Sequence, residues 1–221
     1  MASLLSDAEN EFFLGLYRNA VAFYQPRIEK RTGVQLGKIS VWDLRELDQH
    51  KLRDLEWRTS PWIIGFLRRL VFKSRIQQYA EYLKSTAEER GHSCSALYYK
   101  NAIYVSFSID PHFHEDHLAL TAVHELSHAL WERIEGRPLH EKWSGTAADW
   151  DKYKLLGEGF ATYAEQVWFL DIYPPGVKKN IPYLYFNKGG IHYRGFQRVQ
   201  ELIKEHGPEL FLEIPKRWNS L

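Results

Sequence analysis

Apolar and polar positions predict a long helix near the start of the chain. Residues 6–9 (Ser-Asp-Ala-Glu) have the form of a capping box, which marks a helix N-terminus. Apolar residues then recur at helical spacing: Phe12, Phe13, Leu16, Ala20 and Phe23. We expect this stripe to face the core, with Pro26 kinking or interrupting the helix and Gly33 ending its continuation.

The patterns that follow predict strands and a further helix. β-Branched residues indicate a short strand at 37–42, and residues 93–99 and 102–109 indicate two more, joined in a hairpin by a turn at Lys100-Asn101. Residues 61–89 have the apolar spacing of a long helix. An edge strand of the hairpin is either a plain sheet strand or one that pairs with an extended peptide.

Another helical pattern covers residues 120–134. Gly136 and Pro138 supply a stop signal, so we expect a helix of about four turns. This helix contains the pentapeptide His124-Glu125-Leu126-Ser127-His128. The apolar positions at helical spacing are Leu120, Val123, Leu126, Leu130 and Ile134.

The pentapeptide is an H-E-x-x-H motif with the spacing of a metal site. Residues four apart lie on one face of a helix, so His124 and His128 can bind the same ion. Glu125 lies one step around the helix, where it can act on a water molecule rather than bind the metal. Two imidazoles and an open position for water suit catalytic zinc, so the motif predicts a zinc site.

A zinc site with two histidines needs a third protein ligand. A glycine and a third histidine shortly downstream are excluded, because Trp131 and Ile134 occupy those positions. A glutamate on a following helix is the other arrangement, and Glu158 supplies it. Glu165, two turns further on, either supports a ligand or lies at the surface. Thr162 has a similar pair of interpretations, as support for a ligand or as a helix-packing residue.

Two stretches next to the motif have no single interpretation. His112, His114 and His117 crowd the segment before the predicted helix, and we interpret them as surface or cleft-rim residues rather than a second metal site. Residues 136–154 are expected to form a loop with little regular structure. Such a loop is suited to covering a cleft.

Two motifs together resemble the gluzincin metallopeptidases, the class of thermolysin and the zinc aminopeptidases. The first is H-E-x-x-H at 124–128, and the second is E-G-F-A-T-Y at 158–163, which is similar to the third-ligand helix of the aminopeptidases. A third segment, 192–196 (H-Y-R-G-F), followed by G-P-E at 207–209, is similar to their Y-x-x-G-F segment. In that family the tyrosine stabilises the oxyanion, and here His192 occupies its position with Tyr193 beside it.

The resemblance covers residues 93–212 in patches and has clear departures. The interval from His128 to Glu158 is longer than in the aminopeptidases. The glycine-rich exopeptidase motif is absent, and residues 99–102 stand in its place. The resemblance therefore implies a zinc peptidase without implying the removal of N-terminal residues.

The resemblance implies one zincin-like metallopeptidase domain over residues 1–221, of the α+β class. Residues 1–92 would form an N-terminal helical part with a short strand, residues 93–109 a hairpin, and residues 110–221 a mainly helical half that carries the metal. A cleft would separate the small mixed region with its sheet from the helical half.

The implied activity is zinc-dependent peptide hydrolysis with one zinc ion per chain. His124, His128 and Glu158 would bind the metal, Glu125 would act as the base, and the oxyanion would be held by zinc together with His192 or Tyr193. Hydrolysis of a non-peptide amide or an epoxide is one alternative. A non-catalytic zinc-binding interaction protein is another, although a structural site has no use for the base Glu125.

Composition and charge exclude several other classes. The 221 residues include 29 basic and 28 acidic side chains, a net charge of +1, so no overall field favours nucleic acid or a membrane surface. A single cysteine, Cys94, excludes an internal disulfide framework and a cysteine-rich zinc module. No signal peptide or membrane-spanning run is found. We expect a cytoplasmic protein whose partner is a peptide or protein substrate.

Overall fold

The computed structural model describes residues 6–46, 94–107, 115–136, 147–180 and 190–221. In these ranges the chain is mostly helical and contains one three-stranded sheet, so the predicted α+β class is confirmed. The helices within these ranges all fall short of the length and apolar character needed to cross a bilayer. The helix predicted at 61–89, and also His112 and His114, lie outside the described residues.

The first helix, α1 (Asp7–Thr32), begins and ends where the sequence predicts. Ser6 Oγ accepts a hydrogen bond from the Glu9 backbone N–H, and the Glu9 carboxylate accepts one from the Ser6 N–H, which completes the capping box. Gly33 ends the helix in the left-handed conformation, with φ 72°. Pro26 lies inside the helix and does not interrupt it.

The face of α1 that packs against the core agrees only in part with the predicted one, since Leu16 and Ala20 pack against the core as partly buried residues. Phe12 is 63% exposed and Phe23 is 40% exposed, so the prediction that their stripe faces the core is wrong for both. Apolar residues occupy more than one face of this helix, and only the tertiary contacts select the buried one. The buried stripe consists of Leu14, Tyr17, Val21, Tyr24 and Ile28.

The sheet contains β1 (Ser40–Asp43), β2 (Cys94–Tyr99) and β3 (Ala102–Phe107) in the order β1-β3-β2. β3 is parallel to β1 and antiparallel to β2. Lys100 and Asn101 have φ values of 50° and 61°, as the two residues of a type I′ turn require. The predicted hairpin is confirmed, and among the described strands β2 is its edge strand.

The central helix, α2 (Glu115–Glu135), carries the H-E-x-x-H motif. It is longer than the predicted four turns because it begins at Glu115 and includes His117. All residues from 118 to 127 are buried. A helix buried on every side must be surrounded by other elements, and α1 and β2 supply two of its neighbours. Gly136 ends the helix with φ 71°, as predicted.

The helix that carries Glu158, α3 (Ala147–Tyr163), begins earlier than predicted. The expectation of an irregular loop over 136–154 is wrong from residue 147 onward, and residues 137–146 lie outside the described part of the chain. Trp150 stacks on Tyr153, and Tyr153 is buried, so aromatic packing holds the first turns in place. Two glycines later in α3 weaken the helical signal in the sequence.

A π-helical turn, Ala164–Trp168, follows α3 directly. The wider turn changes which side chains face the core. Val167 is 42% exposed, whereas Phe169 is fully buried. A short 3-10 turn (Leu170–Ile172) follows, and α4 (Pro175–Asn180) begins at the second residue of the pair Pro174-Pro175.

Two C-terminal helices complete the described structure, α5 (Ile191–His206) and α6 (Leu210–Arg217). Both are amphipathic, and Val199 and Leu202 are the buried apolar residues of α5. α5 packs along α3, and Phe211 of α6 stacks on Phe160 of α3 with ring centroids 4.3 Å apart. These contacts fix α5 against the helix that carries Glu158.

Candidate metal centre

Three side chains from two helices converge in the interior. His124 and His128 lie one turn apart on α2, and their Nε2 atoms are 3.2 Å apart. Glu158 on α3 brings its Oε2 to 3.4 Å from His124 Nε2 and 3.6 Å from His128 Nε2. The three potential ligand atoms all lie within 4.8 Å of one another. The fold therefore brings together the triad predicted from the sequence, and this triad can hold a metal ion.

The spacing of the three atoms fits a tetrahedral ion. Ligands at zinc bond lengths along tetrahedral directions lie about 3.4 Å apart. The observed separations of 3.2, 3.4 and 3.6 Å lie around that value. Three protein ligands also leave a fourth position for water or substrate, as catalytic zinc sites do.

Glu165 fixes the orientation of the His124 ring. Its Oε2 lies 3.1 Å from His124 Nδ1, and its side chain is only 2% exposed. A carboxylate accepts a hydrogen bond, so Nδ1 carries the proton and the Nε2 lone pair points toward the other two ligand atoms. The sequence allows two interpretations of Glu165, a surface residue or one that supports a ligand. Its burial and its contact with His124 agree with the second.

The charges around the triad favour a cation at its centre. Burial would lower the pKa of His124, but the carboxylates of Glu165 and Glu158 outweigh it and hold this pKa well above its usual value. Burial would raise the pKa of Glu158, but His192, His124 and His128 outweigh it and hold this pKa well below its usual value. A proton satisfies this arrangement in part, and a metal ion would satisfy all three ligand atoms.

Glu125 lies beside the triad without belonging to it. Glu125 is 5% exposed, and its Oε2 accepts a hydrogen bond of 2.6 Å from the backbone N–H of Tyr98 on β2. Burial raises the pKa of Glu125, against the opposing effects of His128, His124 and the Tyr98 amide. The carboxyl is thus held in place by the sheet and has the raised pKa that suits a general base.

His192, in the first turn of α5, lies next to the triad and contacts its Glu158. Its Nδ1 is 3.3 Å from Glu158 Oε2, and its ring centroid is 5.4 Å from that of His124. Its side chain is 33% exposed, so it stands at the border between the triad and solvent. Tyr193 is half-buried, and its hydroxyl accepts a hydrogen bond of 3.0 Å from Gln197 Nε2, one turn further along α5.

Thr162 and His117 do not contribute to the triad. The Thr162 hydroxyl donates a 2.8 Å hydrogen bond to the backbone carbonyl of Glu158, so it stabilises its own helix rather than the ligand carboxylate. His117 lies two turns before His124 on α2. In the described ranges, the triad is the one group of three or more side chains arranged to hold a metal ion.

Sequence patterns do not reveal the contact between Glu125 and Tyr98. The donor is a backbone amide, which every residue except proline possesses, so no residue type marks it. Glu165 does have a signal, because a spacing of seven residues from Glu158 places both carboxylates on one helix face.

The chain matches no protein-family model, no curated protein and no solved structure. The assignment of the metal site is therefore supported by the geometry of its side chains alone. The zincin fold, the choice of zinc, the peptide substrate and the cytoplasmic location stay predictions.

Proposed function

We propose that this protein is a zinc-dependent peptide hydrolase of the gluzincin type, with one zinc ion held by His124, His128 and Glu158. One observation carries the proposal: the triad has the spacing of a tetrahedral site, and the buried carboxylate of Glu125 lies beside it on the same helix. The metal ligands and a base that is not a ligand are the parts that hydrolysis of an amide needs.

Each side chain has a definite role in the proposed reaction. Zinc, when bound, supplies a lowered pKa for water and polarises a carbonyl group. Glu125 accepts a proton from the attacking water as the C–O bond forms, and passes it to the nitrogen as the C–N bond breaks. His192 or Tyr193 donates a hydrogen bond to the developing oxyanion. Glu165 holds His124 in the tautomer that binds metal.

The position of Glu125 favours an enzyme over a structural metal site. A buried carboxylate is costly unless it is paired, and a site that only stabilises the fold has no need of a third acidic group beside Glu158 and Glu165. Glu125 instead accepts its hydrogen bond from β2, which is an edge strand of the sheet in the described residues, next to the place where a substrate would lie. Hydrolysis of a peptide is the reaction that this arrangement supports best.

Metal content and peptide cleavage test the proposal directly. Purified protein is expected to contain one zinc ion per chain by elemental analysis, and His128→Ala is expected to lose it. His206→Ala is the matched control, because His206 is an exposed histidine far along α5 and should leave the zinc in place. A His128→Ala protein with full zinc would refute the ligand assignment. Zinc-loaded wild type that cleaves nothing in a fluorogenic peptide library would refute the peptidase assignment.

Loss of the Glu165 carboxylate is expected to weaken zinc binding. Glu165→Ala should reduce zinc affinity by about tenfold to a hundredfold, because the His124 ring loses the partner that fixes its tautomer. Competition with a chromogenic chelator measures the affinity. Thr162→Val is the control, since the Thr162 hydroxyl bonds only a backbone carbonyl, and its zinc affinity should equal that of wild type. Equal affinities for Glu165→Ala and wild type would contradict the role.

A further inference from the structure

Two glycines mark the closest approach of α3 and α5. A β-carbon on Gly195 would lie less than 3.0 Å from the carbonyl oxygen of Leu155 and from the backbone of Gly159. A β-carbon on Gly159 would in turn overlap the backbone of Gly195. The two helix backbones are therefore in direct contact, which only glycine at both positions allows.

This contact lies one helical turn from the metal centre. Gly159 follows Glu158 directly on α3, and Gly195 lies three residues after His192 on α5. Residues three apart share a helix face, so His192 and Gly195 both face α3. The separation of the two backbones thus sets how far the His192 ring extends toward Glu158, where its Nδ1 lies 3.3 Å from Oε2.

We infer that the Gly159–Gly195 contact positions His192 against the metal centre, and that its function is to set the distance between this side chain and the reacting atoms. The inference rests on the proposed function, because it assigns the contact a role in the hydrolytic reaction. Gly159 and Gly195 are positioning residues, since each acts through His192 or Glu158 and neither touches substrate.

The size of the effect follows from the geometry. Non-bonded carbon atoms need a separation of about 3.5–4.0 Å. An alanine at 195 would place its β-carbon under 3.0 Å from three backbone atoms, and rigid backbone cannot yield as a flexible side chain does. α5 must therefore move by on the order of 1 Å, and a displacement of that size can reduce a rate about a hundredfold.

The chain contains a matched control for this test. Gly157 lies in the same helix, next to Glu158 on its other side, and a β-carbon there would meet no atom within 4 Å. Gly157→Ala removes a glycine from α3 without moving α5. Any effect of replacing helical glycine as such would appear in this variant too.

The experiment uses the whole 221-residue chain loaded with Co²⁺ in place of zinc. The paramagnetic ion shifts the NMR signals of the His192 ring protons by an amount that falls with the cube of distance. Gly195→Ala is expected to bind one Co²⁺ as wild type does, with a clearly reduced His192 shift, while Gly157→Ala keeps the wild-type shift. With zinc, kcat on a cleaved library peptide should fall about a hundredfold in Gly195→Ala, with KM little changed.

A double variant separates positioning from general damage. If Gly195 acts through His192, then His192→Ala with Gly195→Ala should be no slower than His192→Ala alone. Additive losses, or a folded Gly195→Ala with the wild-type His192 shift and kcat, would overturn the inference.

Folding of the variants is also decisive. If Gly195→Ala does not fold, Gly159→Ala tests the same contact from the other helix. Failure of both to fold beside a well-folded Gly157→Ala would show a contact needed for the fold itself, which also overturns a dedicated positioning role. Wild-type protein that binds neither Co²⁺ nor zinc would instead refute the proposed function.

Discussion

Glu125→Gln is expected to keep the fold and the zinc ion while its hydrolysis falls about 10²–10⁴-fold. Glutamine matches the shape of glutamate and can still accept the hydrogen bond from the Tyr98 amide, but it cannot accept the proton of the attacking water. Glu125 is not among the three ligand residues, so metal binding should be unaffected. The measurements are kcat on a cleaved peptide and zinc content by elemental analysis.

Glu132→Gln is the matched control for this variant. Glu132 lies on the same helix and also contacts Tyr98, through a 3.0 Å hydrogen bond from the tyrosine hydroxyl. It lies two turns beyond Glu125, so its replacement should leave kcat close to that of wild type. Wild-type turnover in Glu125→Gln would show that another group accepts the proton.

The metal centre was predictable because both of its motifs are local. A spacing of four residues fixes His124 and His128 on one helix face, and helix geometry alone secures that relation. The partner helix was harder to delimit. Gly157 and Gly159 lower the helical signal around Glu158, and the structure shows what one of them is for: Gly159 allows α5 to approach.

The parts that the sequence did not reveal depend on tertiary contacts. α1 carries apolar residues on two faces, so periodicity did not identify the face with Tyr17 and Ile28 as the buried one. The π-helical turn after Tyr163 is another example, because its extra residue per turn exposes Val167 and has no sequence signature. Such features are decided by packing between distant segments, which local patterns do not encode.

His192→Ala is expected to raise the barrier to hydrolysis by about 3–4 kcal/mol, a value typical for loss of one oxyanion donor. The structure gives a reason to prefer His192 to its neighbour. His192 Nδ1 lies 3.3 Å from Glu158 Oε2, whereas the Tyr193 hydroxyl lies beside Gln197, from which it accepts a hydrogen bond. With Nδ1 donating to the ligand carboxylate, the Nε2–H of the doubly protonated ring is the group that would donate to the substrate.

The zinc concentration must be saturating when this variant is assayed, because His192 also contacts a ligand residue. Under that condition His192→Ala should lose kcat and keep one zinc per chain, and Tyr193→Phe should retain most of its activity. His192→Gln should recover part of the loss, since an amide restores a donor. Loss of zinc instead of kcat in His192→Ala would make His192 a fourth ligand, and a larger loss of kcat in Tyr193→Phe would make Tyr193 the donor.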